Sequence, residues 1–229
     1  FLAPTSKGRL LEIEMADLTQ IAPFQNRRFV MWNLDLSYTV GAVIHHCHLL
    51  AQAYVDICRN FSRFPSPNGK VRSPCVFGNQ PEPYYAFEAL INAAMRFYMT
   101  ARRPIWAAFG CGGPVPNSFE KTMDRCTKLP NALGQQLKRS WDVCGEKLKE
   151  YRDCIEHYVK LGDHIPFAFM ELLDDQLWTA WLRIPDNPQA RSGKAFRYDS
   201  KLDALTYGWT VTDEVVKLAH ALIKQLPND

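Results

Sequence analysis

The sequence predicts a mainly α fold, an antiparallel helical bundle with a small β hairpin near its C-terminal end. Two long stretches carry apolar residues at alternating spacings of 4 and 3, the repeat that lays a narrow apolar seam along one side of a helix. Segments dense in proline and glycine interrupt them, and the residues that favour strands are concentrated after Pro166. A chain of 229 residues that is 47% hydrophobic and 22% charged can bury a sizeable core. It is expected to form a single domain over residues 1–229, with a bundle core over 35–162, the hairpin and an excursion over 163–210, and a C-terminal helix over 211–229.

From the N-terminus, Leu10 to Met15 alternates apolar and charged residues with the period of a short strand, and the pattern breaks at Pro23. A helix is expected from Asp35, whose carboxylate suits an N-cap. Its seam is Val40, Ile44, Cys47, Ala51, Tyr54, Cys58 and Phe61, spaced 4, 3, 4, 3, 4, 3. Pro65-Ser66-Pro67-Asn68-Gly69 stops this helix and opens a loop that runs through Pro81 and Pro83, where no regular element is expected. A second helix places Phe87, Ile91, Ala94, Phe97 and Ala101 on one face, and Pro104, lacking an N–H, is expected to kink or end it.

Gly110-Cys111-Gly112-Gly113-Pro114 is expected to be a turn, since it lacks the Gly-Lys-Ser/Thr ending of a phosphate-binding loop. The third helix starts near Pro130-Asn131 and has the clearest seam: Leu137, Trp141, Cys144, Leu148, Tyr151, Ile155 and Tyr158, with Gly162 as its stop. Helices with matching seams joined by loops pack most economically as antiparallel neighbours. Phe167 to Leu173 and Leu177 to Ile184 then flank Asp174-Asp175 in the arrangement of a hairpin. Residues 185–200 are polar and proline-bearing, an exposed excursion. A last helix, Thr212 to Leu226, is expected to bury Val215, Val216, Leu218, Ala219 and Leu222.

Composition narrows the functions open to the chain. The net charge of +3 is a near balance of 27 basic and 24 acidic side chains, so contact with a polyanion such as RNA would be local rather than spread over the surface. No run approaches the roughly 20 apolar residues of a membrane-spanning helix, and no membrane contact is expected. No basic stretch followed by an apolar one opens the chain, which begins at Phe1 and leaves room for a segment upstream. Seven cysteines, an odd number dispersed without CxxC pairs, suit reduced thiols and a cytoplasmic location. Asn60-Phe61-Ser62 matches a glycosylation acceptor, a triplet that chance supplies often enough to carry no weight. The sequence lacks a GxSxG elbow, an HExxH helix and a dinucleotide-type glycine fingerprint.

Two clusters carry chemistry. In Ile44-His45-His46-Cys47-His48, His45 and His48 lie one helical turn apart and could share a metal; the third ligand it needs could come from His157 or from a carboxylate on another helix, but nothing in the sequence places one there. Boundary histidines beside the Cys47 seam are the simpler account, so no metal and no other cofactor is expected. The second cluster is Arg152-Asp153-Cys154-Ile155-Glu156-His157 on the last third of the third helix.

An arginine, a small polar residue, three further residues and a histidine, late in a bundle helix, resemble the signature of the HEPN superfamily (higher eukaryote and prokaryote nucleotide-binding domains). These are all-helical bundles, often dimeric, and many are metal-independent ribonucleases. The resemblance covers residues 35–162 as architecture and 152–157 as a motif, with Asp153 where asparagine is commonest in the family. It implies Arg152, Asp153 and His157 as catalytic residues of an endoribonuclease that leaves 2′,3′-cyclic phosphates. Residue chemistry agrees: an imidazole with an ordinary pKa near 6.5 can take the 2′-hydroxyl proton, and a guanidinium can stabilise charge on the phosphorane.

At about 100° per residue, Asp153 and His157 share a face roughly opposite the seam through Tyr151 and Ile155, with Arg152 on the flank. A motif aimed out of its own core favours a homodimer, in which a second copy brings its own Arg152 and His157 across a two-fold axis. The competing expectation is an Arg152–Glu156 surface ion pair on a non-catalytic bundle that binds a protein partner or a nucleotide.

Overall fold

The computed structural model describes residues 27–61, 72–74, 82–126, 132–157, 168–174, 177–190 and 192–225. The expected strand Leu10–Met15, most of the loop opening at Pro65, Tyr158 of the third seam and the stop at Gly162 lie outside them, and Pro83, expected in that loop, is already in the first turn of the next helix.

Helix α1 spans Arg27–Phe61, starting well before Asp35. Its buried seam is Leu36, Val40, Val43, Cys47, Leu50, Tyr54 and Ile57, which has the expected 4, 3 rhythm but, of the six expected residues whose side chains are described, only Val40, Cys47 and Tyr54. Ile44 and Cys58 are half-buried at its edge. The rotation has a simple cause: Leu36, Leu50 and Ile57 offer more apolar surface than Ala51, and two neighbouring helices are available to cover it.

Helix α2, Glu82–Ala108, buries Phe87, Ile91, Ala94, Phe97 and Ala101 completely, as its sequence pattern requires. Pro104 neither ends the helix nor stands at its border; it is buried inside, and the helix continues to Ala108. One forgone hydrogen bond is outweighed there by burial of Ile105 and Trp106 in the turn that follows. The stop is Gly110, at φ 59°, whose N–H donates to the Ala107 carbonyl at 2.9 Å while the Cys111 N–H reaches the Trp106 carbonyl at 3.1 Å. That pair of bonds is a Schellman closure, and it needs the left-handed residue glycine supplies.

A short helix absent from the sequence-based expectations follows: α3, Phe119–Cys126, capped by Ser118, whose Oγ accepts the Lys121 N–H at 3.3 Å. The third long helix consists of α4 (Ala132–Ser140), one π turn (Trp141–Gly145) and α5 (Glu146–His157). The π turn fits around Gly145, because a Cβ there would sit 2.3 Å from Cε3 of Trp141.

The last helix, α6, spans Ala204–Gln225 and so begins before Thr212, inside the stretch expected to be excursion. Asp203 is its N-cap: Oδ2 accepts the Thr206 N–H at 3.1 Å.

Side-chain contacts fix the helix directions. Phe87 meets Tyr151 while Tyr98, further along α2, meets Ser140, so α2 runs against α4 and α5. Tyr207 hydrogen-bonds Cys144 and Glu214 pairs with Arg139, so α6 also runs against them. Tyr54 bonds Asp203 at the start of α6, and Arg96 lies over the Tyr38 ring, which makes α1 antiparallel to both α2 and α6. The result is a mainly α, up-down-up-down arrangement.

Against its end lies an antiparallel sheet of order β1-β2-β3, with β1 Arg72–Pro74, β2 Ala168–Asp174 and β3 Leu177–Leu182. Strand β1 falls in the proline-rich stretch expected to be irregular; as an edge strand it can end on Pro74, whose missing N–H interrupts no inner ladder. Tyr54 and Asp203 tie the sheet to the bundle: both accept the Leu182 N–H, at 3.2 and 2.9 Å.

The described residues of 185–200 are exposed at many positions but firmly anchored. Tyr151 donates to the Pro185 carbonyl at 2.6 Å, and Asp186 accepts from both the backbone and the hydroxyl of Ser200. This segment therefore packs on one flank of α5.

Candidate functional site

Helix α5 buries Leu148, Tyr151 and Cys154 completely, packs Ile155 partly against the core and presents its polar side chains toward solvent. Arg152 and Asp153 are half-exposed, and Glu156 and His157 exposed, so the three residues the sequence singles out all reach the outer surface of one helix. Tyr151 locks the helix from within: it is stacked edge-on against Phe87 and Tyr207, and burial first, then the carboxylates of Asp186 and Glu150, push its hydroxyl far above the ordinary range.

The charges around the motif are already paired. Nη2 of Arg152 lies 2.6 Å from Oε2 of Glu156, and Nη1 lies 3.4 Å from Oδ1 of Asp153. One turn earlier, Lys149 bonds Glu120 of α3 at 2.8 Å, an interaction that raises its pKa with further help from Asp153. Arg152 and His157 are five residues apart, about 140° around the axis, so one helix cannot aim both at a single phosphate. Asp153 and Glu156 divide the guanidinium between them instead. In chemical terms this is a polar, solvated stripe of alternating charge carrying one imidazole.

His45 and His48 are exposed, and among the described residues no group of three or more His, Cys, Asp or Glu side chains is close enough to hold an ion. The His45 and His46 rings meet edge-on at 5.3 Å. Burial, then the neighbouring His45, lowers the pKa of His46. His46 lines a groove of about 570 Å³ between α1 and α2, with Leu49, Asp56, Glu82 and Tyr85 among its walls.

A buried polar cluster at the π turn escaped the sequence-based expectations. The Tyr98 hydroxyl lies 2.7 Å from the Ser140 hydroxyl and 3.3 Å from the Cys144 thiol, while Tyr207 donates to the Cys144 carbonyl at 3.1 Å. Glu214 is 3% exposed, has Oε1 3.7 Å from Arg139 and 3.4 Å from Lys217, and leaves Oε2 without a hydrogen-bond partner among the described residues. Burial pushes the Cys144 thiol up to about 12, which makes it a hydrogen-bonding group rather than a nucleophile. The cluster fits a locking role, because side-chain groups supply hydrogen bonds where the helix changes from i+4 to i+5 bonding. Its one trace in the sequence is a glutamate amid the apolar residues Val211, Val215 and Leu218.

No described helix is long and apolar enough to cross a membrane. Comparison with protein-family models, with characterised proteins and with solved structures finds no match for this chain, so its function is inferred from its own residues.

Proposed function

We propose that the chain is a HEPN-like, metal-independent endoribonuclease that acts as a homodimer on single-stranded or looped RNA. The supporting observation is that Arg152, Asp153 and His157 are all half-exposed or exposed on α5, with Asp153 and His157 sharing a face and Arg152 on its flank, in the third limb of an antiparallel helical bundle. His157 would accept the 2′-hydroxyl proton as the 2′-oxygen attacks phosphorus, and Arg152 would neutralise the charge that builds on the phosphorane. Asp153, four residues before His157, would orient the imidazole. The 5′-oxygen leaves with a proton, and a 2′,3′-cyclic phosphate remains.

One observation favours a second function, a non-catalytic bundle that binds a partner protein or a nucleotide. The 2.6 Å Arg152–Glu156 pair already satisfies the guanidinium in the way a solvated helix surface does. Incubating the purified chain with unstructured RNA in EDTA separates the two. Cleavage to 2′,3′-cyclic ends, abolished by His157→Ala and by Arg152→Ala with the helical circular dichroism unchanged, is the expected result. Asp153→Asn should be milder, because an amide still orients the ring. Intact RNA with the wild-type chain, or cleavage by His157→Ala at the wild-type rate, would overturn the catalytic assignment.

A further inference from the structure

We propose that Cys111 and Cys126 form a reversible dithiol–disulfide pair that fastens α3 to the C-terminal end of α2. Their Sγ atoms lie 3.9 Å apart, in contact. Cys111 directly follows the Gly110 turn that ends α2, and Cys126 is the last residue of α3. The two thiols are thus brought together by backbone that is held in place independently of them.

Three contacts hold that backbone. Trp106 Nε1 donates to the Gly113 carbonyl at 3.2 Å, Arg102 donates to the Pro116 carbonyl at 2.7 Å, and the Arg125 guanidinium sits 5.7 Å from the Trp106 ring. A bond of about 2.05 Å requires the sulfurs to approach by roughly 2 Å, a distance that χ1 rotation of two cysteines can cover without unfolding either element.

The unequal exposure of the two sulfurs sets the order of events. Cys111 is partly exposed, whereas Cys126 is fully buried, and burial, with Cys111 beside it, pushes the Cys126 thiol up to about 12. Exchange with a small disulfide such as oxidised glutathione therefore begins at Cys111. Its thiolate attacks one sulfur of the oxidant, releasing one glutathione and leaving a mixed disulfide. Cys126 then attacks the Cys111 sulfur, and the second glutathione leaves with the Cys126 proton. Two cysteine thiols are oxidised and one small disulfide is reduced to two thiols.

Closing this bond acts on more than the loop. Phe119 of α3 stacks on Trp141 of the π turn with ring centres 5.1 Å apart, and Glu120 of α3 pairs with Lys149 of α5. Oxidation fixes the short helix on which both rest.

The test uses the full chain, incubated with oxidised glutathione at neutral pH, alkylated and digested with trypsin. Cleavage after Lys121 and Arg125 separates the two cysteines, so a disulfide appears as two joined peptides. The expected result is one Cys111–Cys126 species, two fewer alkylated cysteines, and full reversal by dithiothreitol. Cys111→Ser should abolish the linked species and leave Cys126 as a free thiol. A persistent glutathione adduct on Cys111 with Cys126 still alkylated by iodoacetamide under denaturing conditions would overturn the proposal. So would a bond from either residue to another cysteine. The wild-type peptide map decides the matter even if a cysteine variant fails to fold.

Discussion

Arg152 has two carboxylate neighbours, and the closer one governs what the guanidinium can reach. Because the Arg152–Glu156 pair is over a third exposed on both sides, its contribution to stability is small. Glu156→Gln should shift the denaturation midpoint by an amount equivalent to less than about 0.5 kcal/mol. It should leave RNA cleavage at or above the wild-type rate, since it releases Arg152; a clear loss of cleavage would mean that Glu156, not Asp153, positions the charged groups. The i to i+4 spacing of Arg152 and Glu156 was legible in the sequence, as was the sharing of a face by Asp153 and His157. The Arg152–Glu156 pair itself was expected; the added Asp153 contact and the engagement of Lys149 by Glu120 were not, because they depend on side-chain rotamers and on packing against another helix. His46 offers a separate titration test. Burial and His45 hold its pKa below the ordinary 6.5, so in acid the unfolded chain binds more protons than the folded one. Stability should therefore fall as pH drops below 6.5 toward the folded-state value, and His46→Gln should flatten the acid limb of urea midpoints measured from about pH 7 to pH 5.

At the scale of elements, the π turn makes the sharpest demand on sequence. Trp141 is held between Phe119, at 5.1 Å, and Tyr98, at 5.7 Å, so its ring has little room to yield to a side chain at position 145. Gly145→Ala should cost about 1–3 kcal/mol, the usual range for overpacking, measured by chemical denaturation. A cost near zero would show that the turn can revert to ordinary α-helix at no expense. Seam counting could not reveal this feature, since Leu137, Trp141 and Cys144 fit an α-helical 4, 3 spacing and only the unexplained Gly145 marks the change of register. Helix α2 was legible because its large residues repeat without a competing set. In α1 two overlapping sets, one through Ile44 and Ala51 and one through Val43 and Leu50, share Val40, Cys47 and Tyr54, and only the packing partners decide between them. The start of α6 lay hidden for a different reason. Asp203 is an ordinary N-cap residue, but Tyr207, Gly208 and Trp209 favour strands or turns locally, and burial of Tyr207 against Phe87 and Tyr151 overrides that preference. Gly208 itself lets the helices close in, since a Cβ there would lie 2.8 Å from Cδ2 of Leu90 and 3.3 Å from Cδ2 of Leu50.

For the molecule as a whole, the proposed activity requires more than one copy. Arg152 and His157 diverge by about 140° around α5, and neither points into the bundle core, so a phosphate gripped by both must lie between two motif helices related by a two-fold axis. Light scattering should then report a dimer at micromolar concentration, and a strict monomer would count against the catalytic assignment. A stronger measurement mixes two inactive proteins. If each site combines Arg152 of one copy with His157 of the other, a heterodimer of Arg152→Ala and His157→Ala contains one complete site and one empty one. Random exchange makes half of the dimers mixed, so an equimolar mixture should recover about a quarter of wild-type cleavage, while either variant alone recovers none. A dimer without such recovery would place both groups on one copy, or require all four, and would contradict the geometry from which the shared site was inferred. Repeating the mixture after oxidation by glutathione tests whether the Cys111–Cys126 bond reaches this surface, since α3 contacts α5 through Glu120 and Lys149 one turn before Arg152. The expected change is a difference in recovered cleavage that dithiothreitol reverses and that Cys111→Ser, introduced into both partners, removes.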